Sequence, residues 1–407
     1  MAYPYRKQPF KTLYLTYEAL TTLFVRIPLW ILLGFPRSLR PRQSWDLKRT
    51  VMVNIIRHLF VVQGRTGALR ATPDHRAIAP GAHVSGVWVS PVPNSLIVGK
   101  LNQWAVHADV TSVRIPGYWM YKKGAELKVA SSPKSGEKVI LALHGGAYTR
   151  LSANPDDPTA AIARGLLKHV DNVDRVFSIE YRLSSGKPFQ IAHPFPTALI
   201  DALAAYLYLV NGVGFSPSDI IVEGDSAGGN LAHALTRYLV EYKGTPGLPA
   251  PPGALLLLSP WVDLGQSHGC IPGGSALTCP ASDYIHGPSH PSFKYATNAF
   301  IGPHGPDAAE INPYISPASL NPSLIVDFKG FPRTFIVAGG AEVLLDQIRT
   351  LRDRFFRDLG EGNGVREEGK TRYFEVPDGV HDYLIFPWHD PERKDTLKAI
   401  AEWIAAA

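Results

Sequence analysis

Cysteine is nearly absent, with two residues, Cys270 and Cys279, in a chain of 407. That excludes a disulfide-stapled scaffold and a four-cysteine zinc site, and the expected state is two free thiols in an intracellular protein. An excess of one charge is lacking too. Lys and Arg number 41 against 35 Asp and Glu, a net +6, and no basic run interleaves with aromatics in the middle of the chain, so nucleic acid is not an expected partner. No internal repeat is visible. What the chain does have is 45% hydrophobic residues, enough for a large core, and so much Gly (36) and Pro (35) that many short elements joined by sharp turns are expected rather than a helical bundle. At about 150 residues per domain the length allows two or three domains.

A long uninterrupted apolar run is also missing. The nearest is 19–35, ALTTLFVRIPLWILLGF, flanked by Arg6, Lys7 and Lys11 before and Arg37, Arg40 and Arg42 after. Arg26 and Pro28 break its middle, short of the roughly 20 apolar residues of a spanning helix. A cleavable signal peptide would need a small-residue site after the run, and none of the Ala-x-Ala type follows. In 45–62, Val51, Ile55, Ile56, Leu59 and Phe60 recur at helical spacing against Lys48, Arg49, Asn54 and Arg57, an amphipathic helix. Two accounts of 12–62 stand side by side. The helices pack on the protein's own body, or they lie on a membrane surface, such as the endoplasmic reticulum or another lipid surface, with basic flanks toward anionic lipid. A true span is the third account.

From residue 138 the pattern changes. Strands are predicted at 138–143 (KVILAL), 175–181, 219–223, 253–258, 333–338 and 371–376, alternating with helices at 196–210, 231–240, 344–356 and 395–406. Continuous apolar strands alternating with helices predict a mostly parallel α/β sheet covered on both faces. The stretch 265–322 lacks periodicity and reads as an irregular insertion over the site.

Gly224-Asp225-Ser226-Ala227-Gly228 fits G-x-S-x-G and stands between a predicted strand and a predicted helix. The glycines permit a sharp turn that lifts the Ser226 hydroxyl to the mouth of the sheet, where the helix start leaves N–H donors free. Without that context, a serine among glycines is an ordinary turn. His144-Gly145-Gly146 closes the 138–143 strand, and such glycines let backbone N–H groups converge on an oxyanion. The alternative is a Gly-Gly turn with a structural histidine. A nucleophile needs a base and an orienting acid, in the order Ser, acid, His. His381, in the turn after 371–376, is the base candidate, while His304 and His389 read as ordinary surface or cap residues. For the acid, Glu342 follows the 333–338 strand directly and is favoured; Asp346, one turn into the next helix, is explained by an i,i+3 pair with Arg349.

Together, His144-Gly145-Gly146, Gly224-Asp225-Ser226-Ala227-Gly228-Gly229 and His381 resemble the hormone-sensitive-lipase-like family of α/β hydrolases. The likeness runs over 139–403 and includes Tyr181-Arg182-Leu183, Pro194-Phe195-Pro196 and Leu258-Ser259-Pro260-Trp261. The N-terminal region is most similar to the family's fungal members, some of them membrane-associated steryl acetyl hydrolases. The resemblance implies an α/β-hydrolase fold, hydrolysis of carboxylic esters, no metal or organic cofactor, and a cap made of N-terminal helices plus an insertion after the sixth strand. It divides the chain into 1–65, helices that form the cap or meet a membrane, and 66–407, the catalytic part with 265–322 as cap insertion. The implied roles are Ser226 as nucleophile, His381 as base, Glu342 as orienting acid, and Gly145, Gly146 and Ala227 as oxyanion donors. The partner is a small-molecule ester. Amide hydrolysis uses the same parts, and a non-catalytic binder on the same fold is the reading from another class. Two departures stand out: Glu342-Val343-Leu344 where the family has an aspartate followed by Pro-Leu, and about six additional residues, 187–192, after Tyr181-Arg182-Leu183. Aromatic residues such as Trp30, Trp45, Tyr284, Phe293 and Phe300 suggest an apolar substrate and are equally explained as core.

Overall fold

The computed structural model describes residues 4–69, 75–76, 78, 85–125, 127–365 and 368–406. Its centre is one sheet of eight strands: β1 (Ser85–Val89), β2 (Ile115–Tyr121), β3 (Lys138–Leu143), β4 (Val173–Ile179), β5 (Ile220–Asp225), β6 (Ala254–Leu258), β7 (Arg333–Gly339) and β8 (Thr371–Val376). The spatial order is β1-β2-β4-β3-β5-β6-β7-β8. β2 is antiparallel to both neighbours, and every pairing from β4 to β8 is parallel. The six expected strands are all present as β3 to β8. The first two escaped because Ile115–Tyr121 carries Pro116 and Gly117, turn residues that mask a strand, and Ser85–Val89 is short.

The pleat divides the core into two layers. Val139, Leu141 and Leu143 of β3 face a cluster with the helices Thr197–Leu207, Ala227–Glu241 and Leu345–Leu359. Ile140 and Ala142 face the other side, with Ala160–His169 and Glu392–Ala405. Burial on both faces is why these strands read as continuous apolar runs.

The N-terminal segment forms a helical hairpin. A 25-residue helix, Phe10–Gly34, runs back along Leu47–Thr66. Pro28 has no N–H to donate, and the preceding residues Thr22–Arg26 take wider π turns, so the helix continues past it. The Tyr14 hydroxyl accepts from Arg65 at 3.0 Å, Glu18 meets His58 at 3.0 Å, and Gly34 packs on Leu47 and Thr50. The second helix starts at Asp46, whose carboxylate accepts the Arg49 N–H at 2.6 Å.

The insertion between β6 and β7 is less irregular than its sequence suggests, holding the helices Ser275–Thr278, Pro291–Ile301 and Pro306–Ile311. Two of them start on proline, which fits the first helical turn, but all are too short to show an apolar period.

Candidate active site

The strand-to-helix turn at Ser226 is the most constrained point of the backbone. Ser226 has φ 52° and ψ −117°, between the end of β5 and the helix Ala227–Glu241. Its N–H donates to the Leu258 carbonyl, and its own carbonyl accepts from the Trp261 N–H, both at 2.9 Å. These bonds to the neighbouring strand end hold a conformation that an isolated serine avoids. Glycine is required close by, since a Cβ on Gly228 would stand 1.8 Å from the Leu143 carbonyl oxygen.

Because β5, β6, β7 and β8 are consecutive neighbours, the loops at their carboxyl ends converge. His381 Nε2 lies 2.9 Å from Ser226 Oγ, and Nδ1 lies 2.8 Å from Glu342 Oε2. Glu342 is fully buried, and its other oxygen accepts from the Gly339 N–H at 2.7 Å and the Ser259 hydroxyl at 3.1 Å. Burial pushes the Glu342 carboxyl up to about 7, with the His381 bond opposing. For His381, burial disfavours the charge, yet Asp382 and Glu342 outweigh it and hold the imidazole well above its ordinary range. Asp346 is elsewhere engaged, accepting the Ser275 N–H at 2.6 Å and lying 3.9 Å from Arg349.

The loop after β3 presents Gly145, Gly146 and Ala147 above Ser226. Gly146 has φ +110°, and a Cβ on Gly145 would stand 2.4 Å from Asp225 Oδ2. Burial, Asp382 and Glu223 push the Asp225 carboxyl strongly up, with the Gly145 backbone opposing. His144 is structural: its Nδ1 lies 2.7 Å from the Gly145 carbonyl, its ring stacks on Tyr181, and burial lowers it to about 4. Ala227, as first residue of its helix, has an N–H without an intrahelical acceptor.

Sequence reasoning missed Asp283. From the insertion, its Oδ2 accepts the Val343 N–H at 2.9 Å, while Oδ1 accepts the His381 N–H at 3.2 Å. One carboxylate thus fixes the backbones of the Glu342 and His381 loops. Arg57 of Leu47–Thr66 in turn donates to the Asp283 carbonyl at 2.6 and 2.8 Å and to the Ala281 carbonyl at 2.6 Å. No motif marks such a contact, since its members are more than 200 positions apart.

A cavity of about 100 Å³ opens onto Ser226, with walls that include Phe60, Trp261, Tyr284, Phe293 and Leu344. The Leu47–Thr66 helix and the insertion between β6 and β7 therefore both supply wall. Phe300 stacks on Tyr148 instead, Trp45 is buried in the core layer of Val53 and Ile140, and Trp30 sits 6.1 Å from His58. Residues 187–192 fold back through the Ser185–Ala192 bridge and border a separate cleft on the far side of Pro291–Ile301. His304 Nε2 donates to the Phe195 carbonyl at 2.9 Å. His389 is not a surface residue: it is fully buried, and burial lowers it to about 3. Both cysteines are free, Cys270 exposed and Cys279 buried. Among the described residues no group of three or more His, Cys, Asp or Glu is arranged to hold a metal ion.

The profile of proteins with the alpha/beta hydrolase fold matches residues 140–384. An esterase of Acinetobacter venetianus is 27% identical over 342 residues, 82% of this chain and 91% of that protein. The esterase LipU of Mycobacterium tuberculosis is also 27% identical, over 75% of this chain and 93% of its own length. Among solved structures, a hormone-sensitive lipase from a metagenome library superposes with a TM-score of 0.53 at 27% identity, covering 72% of this chain and 82% of that one. Fold, motifs and relatives converge: this chain belongs to the alpha/beta hydrolase family, among its hormone-sensitive-lipase-like members.

Proposed function

We propose that the protein hydrolyses carboxylic esters of small-to-medium apolar substrates through an acyl-enzyme. The observation that carries this reading is the hydrogen-bonded row Ser226–His381–Glu342, with separations of 2.9 and 2.8 Å, at the base of an apolar cavity. Ser226 Oγ attacks the ester carbonyl as His381 Nε2 takes its proton, and the same proton passes to the departing alcohol. Glu342 holds the imidazole in the required tautomer and balances its charge. Water then attacks the acyl-enzyme, again with His381 as base. The N–H groups of Gly146 and Ala227 face the developing oxyanion, each worth on the order of 3 kcal/mol. Gly145 is the third proposed donor.

The cavity favours a short acyl group. At about 100 Å³ it is smaller than the ~150 Å³ that takes a benzene ring. Acetate to butyrate p-nitrophenyl esters should turn over faster than octanoate or longer, with steryl acetates as a further acetyl-ester test. Ser226→Ala should lower kcat by about 10⁴-fold or more on every ester hydrolysed. Equal rates for Ser226→Ala and the parent would overturn the reading.

We also propose that Phe10–Gly34 lies along a lipid surface. Supporting this, Leu13, Leu20, Leu23, Phe24 and Leu32 are each more than half exposed, in a helix whose buried residues are only Tyr14, Glu18 and Gly34. The contacts with Leu47–Thr66 along its length favour a helix in the plane of the surface over one crossing it. The partner helix carries Phe60 into the cavity wall, so an apolar ester leaving the lipid meets the site from that side.

A further inference from the structure

His381 has two carboxyl partners, and the catalytic row uses only one of them. Asp382 Oδ2 lies 3.1 Å from His381 Nε2, the nitrogen that also faces Ser226 Oγ at 2.9 Å. Asp382 is 5% exposed, and its Oδ1 has no hydrogen-bond partner. The residue is left-handed (φ 46°, ψ 39°), a conformation aspartate tolerates, and its N–H donates to Ser259 Oγ at 3.2 Å. The turn thus aims the carboxyl at the imidazole.

Nε2 offers either one hydrogen or one lone pair. With Nδ1–H given to Glu342, general-base action needs the Nε2 lone pair free for the Ser226 hydroxyl. A carboxylate oxygen 3.1 Å from that lone pair would set two acceptors face to face, with no hydrogen between them. A proton between Nε2 and Oδ2 removes the conflict and at the same time denies Ser226 its base. Resting on the esterase reading above, we propose that Asp382 stores a proton against His381 Nε2 in the free enzyme, so that ester hydrolysis begins only as rising pH removes it. The proton passes to solvent. The His381–Asp382 pair goes from zero net charge to one negative charge, and the bared Nε2 then accepts from Ser226.

The carboxyls around the pair favour keeping that proton, while burial of the charge opposes it. Glu342 bears on His381 from the loop after β7, Asp283 and Tyr284 from the insertion, and Asp225 from β5, while Glu223 of β5 bears on Asp382. Arg150 and His286 line the same cavity, and neither is within ion-pair distance of Asp382; among the described residues His381 is its one such partner. Burial raises Asp382, with His381 opposing, while Asp382 in turn helps to raise His381.

The test is the pH dependence of kcat/KM on p-nitrophenyl acetate for the parent, Asp382→Asn and Asp382→Gly. The glycine variant suits the left-handed turn and has no amide to occupy Nε2. The parent's rising limb should lie at least one unit above 6.5, the ordinary histidine value, and both variants should bring it back toward that value. At pH 6 each variant should then show a fraction of its own plateau rate at least about sevenfold above the parent's. Limbs unmoved in both variants, whatever their plateau rates, would overturn the proposal. ¹⁵N NMR of the ring, with the His381 signals identified by their loss in His381→Gln, reads the same proton without turnover. An imidazolium pattern at pH 7.5 in the parent and a neutral one in Asp382→Gly supports the stored proton even in a protein inert to every ester, which would sink the esterase reading alone. A neutral His381 in the parent at pH 7 overturns the stored proton.

Discussion

Two apolar helices in this molecule have opposite fates. Thr197–Val213 and Phe10–Gly34 are both strongly apolar, and each hides one acid among its apolar residues. In the first, every residue of Thr197–Leu207 is buried, and Asp201 is neutralised by Arg182, which donates from Nη2 at 2.7 Å and from Nε at 3.0 Å. In the second, Glu18 is held by Arg26 and His58, each at 3.0 Å, while the apolar side chains around it point outward. The hydrophobic effect drives both to leave water but does not say what must cover them. The sheet and the Ala227–Glu241 helix cover one; among the described elements, Leu47–Thr66 is the long helix behind the other.

Substitutions can sharpen or break this contrast. Leu203 is fully buried, and Leu203→Ala should cost about 2–5 kcal/mol in urea unfolding, against less than about 0.5 kcal/mol for Leu23→Ala. Equal costs would mean that the N-terminal helix is as much a core element as the inner one. Next in size is the effect on lipid. Phe24→Ser with Leu32→Ser should weaken binding to anionic phospholipid vesicles by about tenfold or more per side chain, with p-nitrophenyl acetate turnover unchanged. Vesicle sedimentation that is identical for parent and variant would remove the lipid surface from the account. The smallest effect should come where the hairpin touches the chemistry. Arg57→Ala frees the Asp283 segment that holds the Val343 and His381 backbones, and kcat should fall about tenfold, ~1.4 kcal/mol, with KM little changed. An unaltered kcat would show that the site is rigid without the N-terminal layer.

The strands β3, β5, β6 and β7 were legible because parallel strands buried on both faces are mostly apolar, and that pattern survives in a single sequence. β2 was not, since Pro116 and Gly117 sit in a strand antiparallel to both neighbours, where the sequence signals a turn. Ser226 and the glycines around it were legible for a local reason: a reversal from strand to helix within one residue needs those residue types whatever lies around them. Of two candidate acids the sequence favoured Glu342, which follows its strand directly, and in the structure Glu342 meets His381 while the Asp346 carboxylate turns to Ser275. His389 was misplaced because a polar neighbourhood in sequence, Trp388-His389-Asp390, says nothing of burial between Tyr383 and Trp388.

The sequence by itself determined the sheet's inner strands, the turn that presents Ser226 and the identity of its candidate base, since each rests on rules acting over a few residues. The tertiary structure alone decided that Asp283 and Arg57 brace the site, that Asp382 shares the imidazole with Ser226, and that the first long helix keeps its apolar side chains outside. Those contacts join residues that strand order and loop turns bring together across as many as 226 positions, and no local preference of the chain encodes which of them will meet.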